Sequence, residues 1–353
     1  MIRVLVVDDS AFMRKLISDF LNEQPDIRVE NTARNGKDAL RKLSKKTYDV
    51  VTLDVEMPVM DGIEALKQIM AAHPCPIVMV SSLTQSGAKQ TIEALAAGAV
   101  DVVAKPSGAI SLHLHEVKDD LVHKVKAAAR ANIHASTRKY EPAEQTSRHA
   151  DKKSTSYARQ EHIVAIAAST GGPKALQQIL PRLKPGFPAP IFVVQHMPPA
   201  FTKSLAERLN RLSAITVKEA EHGETAEKGT AYIAPGGYHL QVKRHGFHLV
   251  NDIVSTPPLQ GNRPSADILF SSLSLLNDYQ TSVLVLTGMG KDGSKGLLQM
   301  KRRQHDVLSV SESERTAVVY GMPKAAAETA GTDYQMDLDY MASFLNKQHG
   351  ENE

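Results

Sequence analysis

The sequence predicts an α/β protein of two domains, each built on a mainly parallel sheet wound by helices on both faces. Three observations carry that expectation. The chain has 353 residues, more than the ~100 to 200 usual for one domain. Short β-branched runs alternate with amphipathic helical stretches, the pattern of strand and crossover helix. Residues 132–160 interrupt it with HASTRKYEPAEQTSRHADKKSTSYARQ, rich in Ser, Thr, Lys, Arg and Gln. Such a stretch buries too little apolar surface to offset the entropy of ordering, and is expected to be a flexible linker. The domains are therefore placed at residues 1–131 and 161–349.

Composition narrows the function classes. Hydrophobic residues make up 42%, charged residues 23%, and the formal net charge is +3, an ordinary balance for a globular protein. Nucleic-acid binding is not expected, because there is no Trp and only 5% of residues are aromatic, leaving few stacking platforms. A single cysteine, Cys75, excludes an internal disulfide framework or a multi-cysteine metal site. The N-terminus MIRVLVVDDS lacks the long apolar core of a signal peptide. No apolar run reaches the ~20 residues that cross a bilayer. A cytoplasmic location without membrane insertion is the expectation.

In the first domain the strand-like runs are IRVLVV, IRVENT, DVVTLD, PIVMVS and VDVVAK. Between the first two, Phe12, Leu16, Ile17, Phe20 and Leu21 recur at helical spacing and mark one apolar helix face. The second domain resumes with HIVAIAAS, then PKALQQIL, PIFVVQH, PPAFTKSLAERLNRL, SVLVLTG and GSKGLLQM. Its Gly-punctuated residues 216–252 are expected to form inserted β-hairpins.

Chemistry in a parallel sheet gathers at the carboxyl ends of strands near the switch point. Asp8 and Asp9 follow the first run, Asp54 ends the third, Ser81 the fourth and Lys105 the fifth. Three converging carboxylates repel one another unless a cation lies among them, and an all-oxygen set suits Mg²⁺. With a lysine adding positive charge, the cluster fits phosphoryl transfer to Asp54. Asp61, before Gly62, fits a helix cap instead.

The motifs VVDDS, LDVEMPVMDG, VMVSS and AKP resemble the receiver domain of response regulators. That resemblance implies a flavodoxin-like (βα)5 fold. It makes Asp54 the phosphoacceptor, Asp8 and Asp9 metal-binding acids beside it, Ser81 the switch hydroxyl and Lys105 the phosphate-contacting lysine. Val102 stands where such domains often carry an aromatic switch residue.

In the second domain IVAIAASTGGPKAL places Ser169 at a sharp strand-to-helix turn, with Pro173 suited to the first helical turn. The helix N-terminus there favours a developing anion. A serine before two glycines also suits a phosphate loop. However, the chain has no Gly-Lys-Ser/Thr, and STGGPK is not G-x-G-x-x-G. His196 ends the next strand and Asp292 follows a third in VLVLTGMGKDG, giving the order Ser, His, Asp for nucleophile, base and orienting acid. The Met289 backbone N–H is a candidate oxyanion donor. His113, His115, His239, His245 and His248 lack an accompanying acid cluster, so surface or core roles are expected rather than zinc. Lys203, Arg208 and Arg211 form a basic helix face, a solvated surface or a docking site for an acidic helix.

Together AASTGGP, QHMPPAFTKSLAERLN, APGGYH, NRPSADILF, LTGMGKDG and YGMPKA resemble the chemotaxis protein-glutamate methylesterase (CheB) family. The resemblance implies a serine hydrolase that removes methyl esters from glutamates of chemotaxis receptors and deamidates receptor glutamines. It assigns Ser169 as nucleophile, His196 as general acid and base, Asp292 as orienting carboxylate, Met289 as oxyanion donor and Thr170 as a supporting polar residue. The partners implied are methyl-accepting receptors and a chemotaxis histidine kinase, with no cofactor for the hydrolase. The alternative is a hydrolase acting on another protein ester. Glu312 departs from the pattern, since the family often has Gln there. With a linker between the domains, the unphosphorylated receiver is expected to cover the hydrolase site.

Overall fold

The computed structural model describes residues 1–105, 113–133, 161–304 and 306–349. Most of the expected linker lies outside the described residues.

Uninterrupted apolar runs become buried strands because helices cover both faces of the sheet. The strands of the first domain are β1 (Ile2–Val7), β2 (Ile27–Ala33), β3 (Val50–Asp54), β4 (Ile77–Ser81) and β5 (Asp101–Ala104); β3, β4 and β5 are fully buried, while the polar edge strand β2 is largely half-buried. They pair in parallel in the order β2-β1-β3-β4-β5. The intervening helices are α1 (Ala11–Asn22), α2 (Gly36–Leu43), α3 (Gly62–Ala72), α4 (Gln85–Ala96) and α5 (His113–Ala128). Polar caps start four of them: Ser10, Asn35, Asp61 and Thr84 each accept a hydrogen bond from a first-turn N–H, satisfying otherwise unpaired donors. Asp61 is thus a cap, as its place before Gly62 suggested. The chain runs from β1 out to β2 and back to β3, so the crevice at the switch point opens between Asp8 and Asp54.

The second domain repeats the logic on a larger scale. Its sheet has the order β14-β13-β12-β6-β7-β9-β8, and every pairing in it is parallel. The strands are β6 (Glu161–Ala168), β7 (Ile191–Gln195), β8 (Thr216–Glu219), β9 (Thr230–Ile233), β12 (Tyr279–Val285), β13 (Val307–Glu312) and β14 (Tyr334–Met336). The helices are α6 (Gly172–Ile179), α7 (Phe201–Leu212), α8 (Ala266–Leu273), α9 (Ser294–Arg303), α10 (Met322–Ala330) and α11 (Leu338–His349). Within residues 216–252 one hairpin forms, from β10 (His239–His245) and β11 (His248–Val254). β8 and β9 instead extend the parallel sheet. The switch point lies between β6 and β12, where the chain returns from the β7 side of the sheet to the β13 side.

The two domains pack directly. Helix α4 lies against α6 and α7, and Ala88 and Ile92 of α4 share one apolar cluster with Leu176 and Leu205 of the second domain. A second cluster joins Val100, Val103 and Leu121 to Val318 and Val319, with Met289 against it. Among the described residues two backbone bonds cross the boundary: Gly171 N–H donates to Val100 O at 3.2 Å, and Asn132 N–H to Val318 O at 2.8 Å.

Candidate active site and acidic cluster

The switch point of the first sheet gathers the expected charges. Carboxylate oxygens of Asp8, Asp9 and Asp54 all lie within 4.8 Å of one another. Asp8 and Asp54 are buried, while Asp9 is exposed. Lys105 Nζ reaches Asp54 Oδ2 at 2.6 Å and Asp8 Oδ2 at 3.1 Å. Burial pushes the Asp54 carboxyl up to about 6, outweighing the pull of Lys105, and Asp8 adds repulsion. The Lys105 ammonium loses solvation, yet the two carboxylates raise it above its ordinary value. Among the described residues Asp8 Oδ2 meets only the Lys105 ammonium, and with three carboxylates converging a hard, oxygen-seeking divalent cation fits this donor set.

The other two receiver positions point elsewhere. The Ser81 hydroxyl donates to Gly87 O at 3.2 Å, turned into the first turn of α4 rather than towards Asp54. Val102 is fully buried in β5, and Val102 O accepts from Lys124 Nζ at 2.7 Å.

In the second domain Ser169 leaves β6 at the turn into α6. Gly171 takes φ +80 there, a left-handed conformation that glycine adopts without strain, and Pro173 occupies the first turn of the helix. Register sets the neighbours: Ala168 pairs with Gln195 and His196 N–H donates to Ala168 O at 3.1 Å, so Ser169 and His196 extend adjacent strands side by side. Gln195 Nε2 donates to Ser169 O at 2.9 Å, and Ser169 N–H donates to Thr287 O at 3.0 Å. Ser169 is half-buried.

His196 Nε2 lies 2.8 Å from Asp292 Oδ2. Since the carboxylate accepts, Nε2 carries the proton and Nδ1 is the free base. Among the described residues no hydrogen bond joins the Ser169 hydroxyl to that imidazole. Asp292 is buried at the N-terminus of α8. Its Oδ1 accepts from Ser265 Oγ at 2.7 Å and Asp267 N–H at 3.1 Å, and its Oδ2 from Ala266 N–H at 2.6 Å. Burial disfavours the Asp292 charge, but the bonds from His196, Ser265 and Ala266 N–H hold its carboxyl below the usual range. His239 supports this cap. Its Nδ1 accepts from Ser265 N–H at 3.1 Å while Nε2 faces Pro257 O at 3.2 Å, the buried structural role expected of it.

The remaining expected residues also sit here. Met289 follows Gly288, whose carbonyl accepts from Gly321 and Met322 N–H. No backbone carbonyl among the described residues accepts from Met289 N–H. Thr170 is 1% exposed and its hydroxyl donates to Asp101 Oδ2 of the receiver, a contact the sequence did not signal. Ser265, Gln195 and Asp101 escaped sequence reasoning, and Glu312 stood out only as a departure from the family pattern. For Ser265 the available signal was its place just before a helix, where a polar cap is common.

The sequence profile of the CheB methylesterase family matches residues 164–345, and that of the response regulator receiver domain matches residues 4–115. A protein-glutamate methylesterase/protein-glutamine glutaminase of Oceanobacillus iheyensis is 49% identical, over 98% of this chain and 99% of its own. One of the same name from Geobacillus kaustophilus is 51% identical, over 99% of each chain. Among solved structures, the Thermotoga maritima CheB methylesterase catalytic domain is similar with a TM-score of 0.51 and 41% identity, covering 53% of this chain and 98% of that one.

Proposed function

The chain belongs to the CheB methylesterase family and carries a response regulator receiver domain, and on that premise we propose how its residues carry out phosphorylation-regulated demethylation of receptor glutamates. The observation that carries the reading is the His196–Asp292 contact beside Ser169. Ser169 Oγ attacks the γ-carbonyl of a glutamate methyl ester as His196 Nδ1 takes its proton. The tetrahedral oxyanion forms at the Met289 N–H, at the positive end of α6. It collapses as the imidazolium returns the proton to the leaving oxygen, releasing methanol and leaving an acyl-serine. Water then adds with His196 as base, and glutamate and free serine result. A glutamine follows the same route with ammonia as leaving group. Asp292 keeps the imidazole in the required tautomer and stabilises its cation.

In the receiver, the Asp54 carboxylate takes a phosphoryl group from a phosphohistidine of a chemotaxis kinase, and Lys105 binds the transferred group. Asp8, Asp9 and Asp54 would hold Mg²⁺, which supplies charge neutralisation for that transfer. Regulation follows from packing. Thr170, next to Ser169, is held by Asp101 at the start of β5, while Lys105 just beyond the same strand contacts Asp54. Four residues of strand span about 13 Å, a short path from phosphoacceptor to hydrolase. Phosphorylation shifts the population towards an arrangement in which α4 and β5 leave the Ser169 turn. The substrates are methyl-accepting receptors, reached from the cytoplasm; no described helix is long and apolar enough to cross a membrane.

The test is methanol release from methylated receptor membranes by Ser169→Ala and wild-type chains, alongside labelling by a fluorophosphonate. Loss of both with an unchanged melting temperature is expected. Methanol release by the variant at the wild-type rate would overturn the assignment.

A further inference from the structure

Glu312 ends β13 with its side chain fully buried. Its Oε2 accepts from Thr287 N–H at 2.8 Å, while Oε1 has no hydrogen-bond partner. The β12–β13 ladder stops at Val285 and Ser311. Beyond it the carboxyl does what a strand carbonyl would do, supplying an acceptor to a buried N–H that is costly to leave unpaired.

Thr287 is clamped on its other edge as well. Its carbonyl accepts from Ser169 N–H at 3.0 Å. Its hydroxyl donates to Thr170 O at 2.9 Å and accepts from Val319 N–H at 2.9 Å. The next residue, Gly288, lies so close to Ser169 that a Cβ there would come within 2.7 Å of the serine Cβ. One peptide therefore fixes both the Ser169 turn and the approach to Met289.

We infer that Glu312 is a positioning residue for the hydrolase, its carboxyl holding the 287–289 segment and through it the serine turn and the Met289 N–H. This rests on the reading of Ser169 as nucleophile. The position also makes turnover sensitive to pH. Burial pushes the Glu312 carboxyl up to about 7, and Asp339 on α11 adds repulsion. The Thr287 N–H bond and then the Thr316 hydroxyl oppose that shift without overcoming it, and among the described residues no cation forms an ion pair with Glu312. The neutral acid holds the segment without placing charge behind the oxyanion site. Its ionisation adds a buried negative charge at Thr287, two residues before the Met289 N–H, and so opposes the developing oxyanion. Turnover thus falls as Glu312 ionises.

The full-length chain, phosphorylated by a small acyl phosphate with Mg²⁺, is assayed for methanol release from methylated receptor membranes across neutral pH. Glu312→Gln keeps an acceptor and cannot ionise; its kcat is expected within about threefold of wild type at mildly acidic pH, with the alkaline decline gone. Glu312→Leu removes the acceptor; a fall of at least about tenfold in kcat with little change in KM is expected, the signature of a transition-state interaction. A Glu312→Gln profile superimposable on wild type overturns the inference, and that variant decides the matter if Glu312→Leu does not fold. The Ser169→Ala control separates the two readings. Activity surviving in it refutes the nucleophile, whereas an inactive control with an unchanged Glu312→Gln profile refutes only Glu312.

Discussion

Replacing Asp292 by asparagine tests the electrostatics of the hydrolase site in isolation, because shape is nearly conserved and charge is lost. The carboxylate accepts four hydrogen bonds, from His196, Ser265, and the N–H groups of Ala266 and Asp267. An asparagine has one acceptor oxygen, so its amide must face one pair of donors. The Ser265 hydroxyl by rotation, or the His196 imidazole by a change of tautomer, can accept from the amide, so either orientation orphans one backbone donor, Asp267 N–H or Ala266 N–H, which costs about 1–3 kcal/mol of stability. The His196 contact survives, but the charge opposite its imidazolium is gone. At 2.8 Å that attraction is roughly 6 kcal/mol gross at an effective dielectric near 20. A fall in kcat of about 10³ to 10⁴ is therefore expected, the range seen when a triad acid becomes an amide. The folded-state pKa of Asp292 is depressed, so its stabilisation is complete above the unfolded value and is lost as pH falls through the folded one. The stability gap between variant and wild type should accordingly narrow in acid. Methanol release from phosphorylated enzyme and thermal unfolding at neutral and acid pH are the measurements. A variant keeping more than a tenth of wild-type kcat would refute the electrostatic role.

Asp101→Ala removes the acceptor of the Thr170 hydroxyl without touching the acidic cluster. Lys124, which faces Asp101, keeps Asp120 at 2.9 Å and Val102 O at 2.7 Å, so the fold should persist. Basal methanol release by unphosphorylated enzyme is expected to rise several-fold, the phosphorylated rate staying level; an unchanged basal rate would rule out this contact as a restraint. In the receiver, burial pushes the Asp54 carboxyl up to about 6 when no cation lies in the cluster. Asp54→Asn should abolish phosphorylation by an acyl phosphate. Because the folded pKa is raised, the unfolded chain ionises first and stability falls as pH rises from the ordinary carboxylate range to about 6. Mg²⁺ relieves that repulsion, so it should raise the melting temperature more at neutral pH than at about pH 5; an equal shift at both would contradict the assignment of the cluster.

The residues legible in the sequence share one property: each ends a strand of a parallel sheet or lies in the loop that leaves its carboxyl end. Asp8, Asp54 and Lys105 needed only that rule and the repulsion among carboxylates to be grouped. Ser169, His196 and Asp292 needed it together with the chemistry of serine, imidazole and acid, and the family resemblance for the substrate. What stayed hidden depends on distant backbone. Ser265 reaches Asp292 across 27 positions and Glu312 reaches Thr287 across 25, separations at which no local pattern operates. β8 and β9 lie among glycines that resemble turn signals and so suggest hairpin strands. They lie parallel instead, since a parallel neighbour can be reached by a crossover lacking a helix when the sheet edge is open.

The same distinction bears on regulation. Asp101 shows no motif, being one acid at the start of a short strand, yet it joins β5 of the receiver to the residue beside Ser169. Lys105, at the other end of that strand, is shared by Asp8 and Asp54. A phosphoryl group on Asp54 brings new negative charge to Lys105 and so competes for the one cation that now holds both carboxylates. Any resulting shift of β5 is delivered to Asp101, because a packed strand moves as a unit. The strand supplies the reason for the two domains to separate. Control of the hydrolase by phosphorylation is thus expected to survive changes in linker length and to fail when the Asp101–Thr170 contact is removed.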